Sequence, residues 1–283
     1  MLQLLFFLLV LFTVNSFADD RQTIIWLSDS ENYVKNFRQA NADNIDSDTN
    51  NLLLTQINNY KIELEYTPLA RIEKLMKSGE NYCIANRLKT KERLKNNLFS
   101  LPLNLYLGLR VYSKKKLAQK YLNINGELTS ITDLLTEREN KWLLVSKGRS
   151  YSDLLDQQIT QVDKRFIYVL SKQSYAEAAF DMLAKERVDY IIEYPAEVAL
   201  MSKKRSKPLP LYSVSVTDSE KYVIGYLACN KSAIGKQFID NINQVLTGVY
   251  QQKGFYLAHV NHLNKSDLII FNYYFNQVFS TNY

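Results

Sequence analysis

Short β-rich runs alternate with helical patterns along most of this chain, and this alternation limits the possible folds more than any other feature. In the first half, strands are predicted at 23–28, 61–68, 81–86 and 103–114, with helical stretches between them. Strands that alternate with covering helices indicate a mainly parallel sheet. The first half therefore predicts one α/β unit.

The same rhythm restarts in the second half, with strands predicted at 142–146, 164–170, 188–194 and 220–230. One long helix is predicted over 234–254, where a glycine ends it. Two units of similar rhythm predict an α/β fold of two lobes. Ligands of such sheets bind outside the carboxyl ends of the strands, so the expected site is a cleft between the lobes.

The first residues have the composition of a secretory signal peptide. Residues 4–14 form an apolar run, and Ser16 and Ala18 are small residues at −3 and −1 of a cleavage site. The run is shorter than the roughly 20 residues that a membrane span needs. An uncleaved anchor is the alternative, because no lysine or arginine precedes the run. We expect residues 1–18 to be removed and the mature protein to be periplasmic.

The composition is that of an ordinary soluble globular protein, with 46% hydrophobic and 23% charged residues. A formal net charge of +6 would favour acidic ligands, although a solvated basic surface is the simpler explanation. The aromatic residues are spread evenly and no basic helix stands out. We therefore expect no nucleic-acid partner.

Only two cysteines are present, Cys83 and Cys229. An exported chain with two cysteines is compatible with one disulfide, and two buried free thiols are the alternative. His259 and His262 lie three residues apart without a third ligand, so we expect packing or surface roles for them. No metal and no cofactor are predicted.

The segment 83–103 contains an arginine between two strand-like runs, and it is the first candidate for ligand binding. The guanidinium of Arg93 can hold a carboxylate through two parallel hydrogen bonds, which a lysine cannot reproduce. The alternative is a solvated cation among the neighbouring lysines. Thr90 would add a hydroxyl to the site or cap a turn.

The second candidate is the turn Gly148-Arg149-Ser150-Tyr151, between a predicted strand and a predicted helix. As the N-cap of that helix, Ser150 would stand beside exposed amides and the positive end of the helix dipole, which suit an anion. The alternative is that Ser150 caps the helix and does nothing more. Arg149 would reach the same anion or the solvent.

The order of these patterns resembles the family 3 periplasmic solute-binding proteins, which capture amino acids and related polar solutes. The resemblance runs from about residue 23 to residue 254. Four patterns carry it: Pro68, Arg71 and Gly79 before the strand 81–86; Thr90, Arg93, Phe99 and Ser100 at the family's spacing; residues 148–151; and Arg187-Val188-Asp189 at the start of the strand 188–194.

The resemblance implies two α/β lobes joined by two crossovers. Lobe 1 would comprise residues 19–112 and 222–283, and lobe 2 residues 113–221. It also implies that Arg93 and Thr90 bind the ligand from the first lobe and that the turn at Ser150 closes on it from the second. In the family a strand returns from the second lobe beside the third strand, which would place Cys83 and Cys229 on neighbouring strands as a disulfide.

The chain departs from the family where an aspartate usually holds the ligand's ammonium group. That position is Tyr194, which offers a ring and a hydroxyl instead. Glu193 replaces the missing carboxylate only if the strand ends or bulges there, because successive strand residues face opposite sides. Tyr33 is the aromatic candidate for the cleft, and Trp26 is expected in the core.

The function expected from these residues is capture of a small polar solute, one that bears a carboxylate, for an ABC transporter of the inner membrane. A sensory binding protein that signals to a membrane receptor is the alternative. An enzyme with Glu193 as its acid or base is least favoured, because no partner carboxylate or histidine is apparent. The chain end, residues 268–283, matches no family pattern.

Overall fold

The computed structural model describes residues 21–35, 44–136, 142–171, 175–207, 209–263 and 265–283, without the side chains of Asn32 and Ser266. The predicted signal peptide lies outside these residues. Over the described ranges, no helix has both the length and the apolar character needed to span a membrane.

The first lobe contains a five-stranded sheet in the order β2-β1-β3-β10-β4. β1 runs parallel to β2 and β3, whereas β10 is antiparallel to both β3 and β4, so the sheet is mixed. The strands are β1 (Gln22–Ser28), β2 (Tyr60–Tyr66), β3 (Tyr82–Arg87), β4 (Asn97–Leu107) and β10 (Tyr222–Asn230). The helices of this lobe are α1 (Glu31–Lys35), α2 (Ile45–Leu54), α3 (Leu69–Leu75), α4 (Lys91–Asn96), α9 (Ala233–Val249), α10 (Lys253–Val260) and α11 (Leu268–Phe279).

The second lobe contains another five-stranded sheet, in the order β7-β6-β8-β5-β9. β6 is parallel to β7 and β8, and β5 is antiparallel to β8 and β9. The strands are β5 (Arg110–Ser113), β6 (Leu143–Ser146), β7 (Ile167–Leu170), β8 (Tyr190–Glu193) and β9 (Tyr212–Val214). The helices are α5 (Ile131–Thr136), α6 (Asp153–Gln161), α7 (Tyr175–Ala184) and α8 (Pro195–Lys203). The fold class is the expected two-lobed α/β architecture.

The single strand predicted over 103–114 is two strands that belong to different sheets, so that prediction was wrong. The break falls at Gly108, where an added Cβ would lie 2.0 Å from the backbone oxygen of Glu220. Gly108 N also donates to the carbonyl of Lys221 at 2.9 Å. The two crossovers therefore pass side by side here, and only glycine fits. The division at residues 112 and 221 stays a prediction, although β5 pairs within the second sheet.

The helix predicted over 234–254 is also two helices. α9 ends at Val249, and Gly254 lies inside α10 rather than at a helix end. The chain then turns into α11, which packs Phe271, Phe275 and Phe279 into the core of the first lobe. The C-terminal segment is thus an integral part of that lobe.

The predicted disulfide is present. Cys83 on β3 and Cys229 on β10 are direct partners in the antiparallel register and are bonded to each other. Their Cα atoms lie 4.1 Å apart, and both residues are fully buried. The bond closes a loop of 146 residues that contains the whole second sheet.

Candidate functional site

A cleft of about 820 Å³ lies between the lobes and is lined by residues from both. Its walls are the ends of β1 and β3 with α2 in the first lobe, and the ends of β6 and β8 with α7 and α8 in the second. Six of the seven predicted ligand residues line it: Tyr33, Arg93, Arg149, Ser150, Glu193 and Tyr194. The seventh, Thr90, is not among the lining residues and caps α4 by accepting from the backbone N–H of Arg93 at 3.3 Å.

Arg93 is not a solvated surface cation, because its side chain is only 11% exposed. Its Nη2 donates to Oε1 of Glu73 at 2.9 Å, and its Nη1 donates to the carbonyl of Leu88 at 3.3 Å. The side chain is therefore held in a fixed direction at the cleft wall. Its role as a ligand residue stays a prediction.

Arg87, the last residue of β3, shares the same carboxylate and was missed by the sequence analysis. Its Nη2 lies 2.5 Å from Oε1 of Glu73. Burial alone would raise the pKa of Glu73, but the two guanidinium groups outweigh burial and lower it. Within this group of three, two arginines and one carboxylate leave one surplus positive charge, and the nearby Asp29 attracts Arg87. The signal in the sequence was an arginine at the carboxyl end of a buried strand.

Arg149 and Glu193 form an ion pair across the second-lobe wall. Nη1 of Arg149 donates to Oε1 of Glu193, and Nη2 donates to Oε2 at 2.9 Å. The Glu193 side chain is 3% exposed. β8 ends at Glu193, so the condition under which this residue could face the cleft is met. Burial lowers the pKa of Arg149, but Glu193 more than compensates and raises it, so the guanidinium stays charged.

Three tyrosine rings surround this guanidinium. The distances from Cζ of Arg149 to the ring centroids are 5.0 Å for Tyr151, 5.6 Å for Tyr175 and 5.5 Å for Tyr194. Tyr194 also packs on Tyr106 of the first lobe, with the ring centroids 5.0 Å apart. Burial raises the pKa of Tyr194, so its hydroxyl stays neutral.

Ser150 is not the N-cap of α6, which corrects the expectation from the sequence. The cap is Ser152, whose hydroxyl accepts from the N–H of Leu155. Ser150 Oγ donates instead to Asp156 at 2.6 Å, and Asp156 also accepts from the N–H of Tyr151 at 2.8 Å. The carboxylate of Asp156, in the first turn of α6, thus holds the preceding turn against the helix. The helix begins at Asp153, later than predicted.

The two aromatic residues near β1 differ in position. Trp26 is 1% exposed and packs in the first-lobe core as expected, although it also contributes to the floor of the cleft. Tyr33, in α1, is 9% exposed and belongs to the same core cluster while lining the cleft.

Besides Glu177, three carboxylates that line the cleft escaped the sequence analysis: Asp29 after β1, Asp46 in the first turn of α2 and Glu197 in the first turn of α8. Burial raises the pKa of all three, and that of Glu197 reaches about 7. Asp29 is solvent-accessible within the cleft although protein surrounds it. No sequence pattern marks these residues, because first-turn acids are common in solvated helices.

The two histidines take structural positions. His259 is fully buried, with Nδ1 2.8 Å from the carbonyl of Phe255. His262 lies 2.7 Å from a carboxylate oxygen of Asp48. No group of three or more His, Cys, Asp or Glu side chains within the described ranges is arranged to hold a metal ion.

No protein-family model matches this sequence, and no sequence among the curated proteins matches it. Solved structures do match. One is a putative L-cystine ABC transporter protein from Listeria monocytogenes, with a TM-score of 0.62 and 17% identity over 87% of this chain and 97% of that one. Another is the probable amino-acid ABC transporter extracellular-binding protein ytmK from Bacillus subtilis, with a TM-score of 0.57 and 17% identity over 87% of this chain and 99% of that one.

A third match is the arginine-bound form of truncated ArgBP from T. maritima, with a TM-score of 0.56 and 16% identity over 81% of this chain and 96% of that one. These neighbours are binding proteins rather than enzymes. The match covers nearly their full length at low identity. The chain thus has the two-lobed fold of the amino-acid ABC transporter substrate-binding proteins.

Proposed function

We propose that this protein captures a small polar solute in the cleft between its lobes and delivers it to a membrane transporter. The observation that carries the proposal is the cleft itself, whose 820 Å³ is lined by charged and aromatic side chains from both lobes. A volume of this size suits a small molecule rather than a polymer. The likeness to transporter-associated binding proteins supports the transport role by analogy of fold.

A carboxylate on the solute is the second part of the proposal. Arg87 and Arg93 share the carboxylate of Glu73, so this group of three side chains keeps a surplus positive charge. A planar guanidinium that is already fixed by Glu73 and Leu88 loses little freedom on binding an anion. The turn at Ser150 and the Arg149–Glu193 pair would face the same solute from the second lobe.

Export is part of the same proposal, since a transporter-associated binding protein works outside the inner membrane. The full chain expressed with residues 1–20 should yield a periplasmic protein that begins at Asp19 or close to it. Intact-mass measurement checks this directly, and a soluble protein that retains Met1 would contradict it.

The proposed function is tested by recovering the solute. The protein would be purified from cells without dialysis against denaturant, then unfolded, and the released small molecules identified by mass spectrometry. Each candidate would be added back to solute-free protein in a thermal-unfolding assay. A true ligand at a hundredfold excess over its Kd stabilises by about 2.7 kcal/mol. A broad solute screen that produces no shift would count against the proposal.

The alternatives use the same cleft. A sensory binding protein would also bind a solute, so uptake of the identified solute in a strain that lacks this gene separates the two functions. The enzyme alternative is disfavoured by Glu193, because this carboxylate is already bonded through both oxygens to Arg149. A general acid or base needs a carboxylate that is free to exchange a proton.

A further inference from the structure

Two carboxylates from opposite lobes lie beside the place where the lobes touch. Ile45 of α2 and Ala196 of α8 pack with Tyr106 in one buried cluster that joins the lobes. Asp46 follows the first of these residues and Glu197 follows the second, and both line the cleft. The lobe contact therefore brings two acids towards each other.

This position is costly for two ionised acids. After burial, Glu197 is the largest cause that raises the pKa of Asp46, and Asp29 adds to it. Like charges out of contact with bulk water repel more strongly than they do at a surface. A first-turn carboxylate stabilises the helix dipole only in its ionised form, and that form is favoured by contact with solvent. Interaction with the dipole therefore does not explain why these two acids are surrounded by protein.

A second observation is that two acceptor oxygens at this place have no hydrogen-bond partner among the described residues. Asn50 lies one helical turn after Asp46 on the same face of α2, lines the cleft and is 3% exposed. Oδ1 of Asn50 and Oδ1 of Asp46 are both buried without a hydrogen-bond partner among the described residues. Buried oxygen acceptors are nearly always paired in folded proteins, so these two point to a donor that binds between the lobes.

We propose that Asp46 and Glu197, with the amide oxygen of Asn50, bind a positively charged side-chain group of the solute, an ammonium or a guanidinium distinct from any α-amino group. The inference rests on the proposed function, since it assigns a second recognition element to the same cleft. Such a group is rich in N–H donors and accepts nothing, which matches a set of acceptor oxygens. It would also neutralise the two carboxylates, so the cationic solute itself draws the lobes together.

The groups that face these acids set the pH dependence of binding. Glu193 raises the pKa of Glu197, whereas Arg149, Lys204 and His262 lower it, and burial dominates with the result of about 7. Asn86 and Arg149 lower the pKa of Asp46 without offsetting burial. Binding of a cation should therefore weaken as the pH falls from 8 to 6, because Glu197 takes up a proton.

The test uses pairs of probes that differ in charge but hardly in shape: L-arginine with L-citrulline, and L-lysine with L-norleucine. Affinities would be measured by calorimetry on the full mature protein. We expect the cationic member of at least one pair to bind about tenfold or more tightly than its neutral partner. Glu197→Gln and Asp46→Asn should remove that difference. Glu177→Gln, which deletes a charge elsewhere on the cleft lining, should preserve it.

The inference would be overturned by no binding of either cation, by equal binding of both members of each pair, or by a charge preference that survives in Glu197→Gln. Glu197→Gln decides the matter alone if Asp46→Asn fails to fold. Tight binding of a neutral or anionic solute would reject this inference and leave the proposed function standing. Failure of every solute in the broad screen would reject the proposed function itself.

Discussion

At the scale of the residue, each predicted arginine of the cleft is held by a carboxylate of its own lobe. Arg93 is bonded to Glu73, and Arg149 is bonded to Glu193. The two groups differ in the net charge that remains after pairing. Glu73 serves two arginines and leaves a surplus positive charge, whereas the Arg149–Glu193 pair is neutral and surrounded by tyrosines. The part of the first-lobe wall formed by Arg87, Arg93 and Glu73 is therefore the better place for an anionic group.

Replacement of Arg93 by alanine should weaken binding of a carboxylate-bearing solute by about ten- to a hundredfold, since a charge-assisted hydrogen bond contributes roughly 1.5–3 kcal/mol. The free energy of unfolding should fall by only about 1 kcal/mol, because Glu73 keeps its bond to Arg87. Calorimetric titration and urea unfolding measure the two effects.

Lys95→Ala is the matched control for Arg93→Ala. Lys95 lies on the same short helix, and its side chain is 68% exposed and paired with Glu92. It should leave both affinity and stability unchanged, because exposed pairs contribute little. Equal affinities of the Arg93→Ala protein and the wild type would remove Arg93 from the site.

At the scale of the element, α10 and α11 enclose a histidine in an aromatic core. The His259 ring contacts Phe255, Phe271, Phe275 and Phe279, with centroid distances from 4.8 to 6.0 Å. Its Nδ1–H donates to the carbonyl of Phe255, and its Nε2 accepts from the N–H of Leu105 at 3.3 Å. This arrangement satisfies the neutral ring and ties α10 to β4.

Burial lowers the pKa of His259 to about 4, below the ordinary 6.5. Between these two pKa values the unfolded chain binds a proton that the folded chain does not. The contribution of neutral His259 to the free energy of unfolding is therefore fully present above pH 6.5 and is lost as the pH drops towards 4. The loss attributable to His259 should be of order 3 kcal/mol. Urea unfolding of the wild type and His259→Gln between pH 4 and 7 checks this. A difference between the two proteins that does not change with pH would contradict it.

The elements themselves were largely predictable, and their interruptions were not. The period of the apolar residues identifies most strands, because burial of one face leaves a local pattern. The break between β4 and β5 depends on the contact of Gly108 with Glu220, more than a hundred residues away. Likewise, the N-cap of α6 is Ser152, because Ser150 donates to Asp156 instead.

The site was predictable only where a residue type and its local motif together indicate ligand binding. Arg93 and Arg149 were found because each stands in a short motif whose spacing resembles the family pattern, and both line the cleft. Glu73, which holds Arg93 from α3, is unrecognisable as its partner without the fold. Asp46 and Glu197 come near each other only through the contact between the two lobes, so no local sequence pattern marks them.

At the scale of the whole molecule, one disulfide links two strands of the first-lobe sheet that are far apart in the sequence. β10 returns from the second lobe and inserts between β3 and β4, and the Cys83–Cys229 disulfide fastens it there. The unfolded chain thereby keeps a closed loop of 146 residues, and neither cysteine lines the cleft.

Reduction of this disulfide should lower the free energy of unfolding by about 2–5 kcal/mol and leave solute affinity nearly unchanged. Thermal unfolding with and without reductant measures the first effect, with alkylation and mass spectrometry to verify reduction. The Cys83→Ala/Cys229→Ala protein is the control, since its unfolding should not respond to reductant. Superimposable curves for oxidised and fully reduced wild type would contradict the prediction.

The central claim is that one solute binds in the cleft between the lobes, and a blocked cleft tests it most directly. Ala176 lines the cleft from the start of α7, so Ala176→Trp should fill the space. Calorimetric titration of the recovered solute is expected to give one site per chain in the wild type. The Ala176→Trp protein should keep its thermal stability and should not bind the solute. Undiminished binding to the blocked protein would place the solute elsewhere and contradict the account.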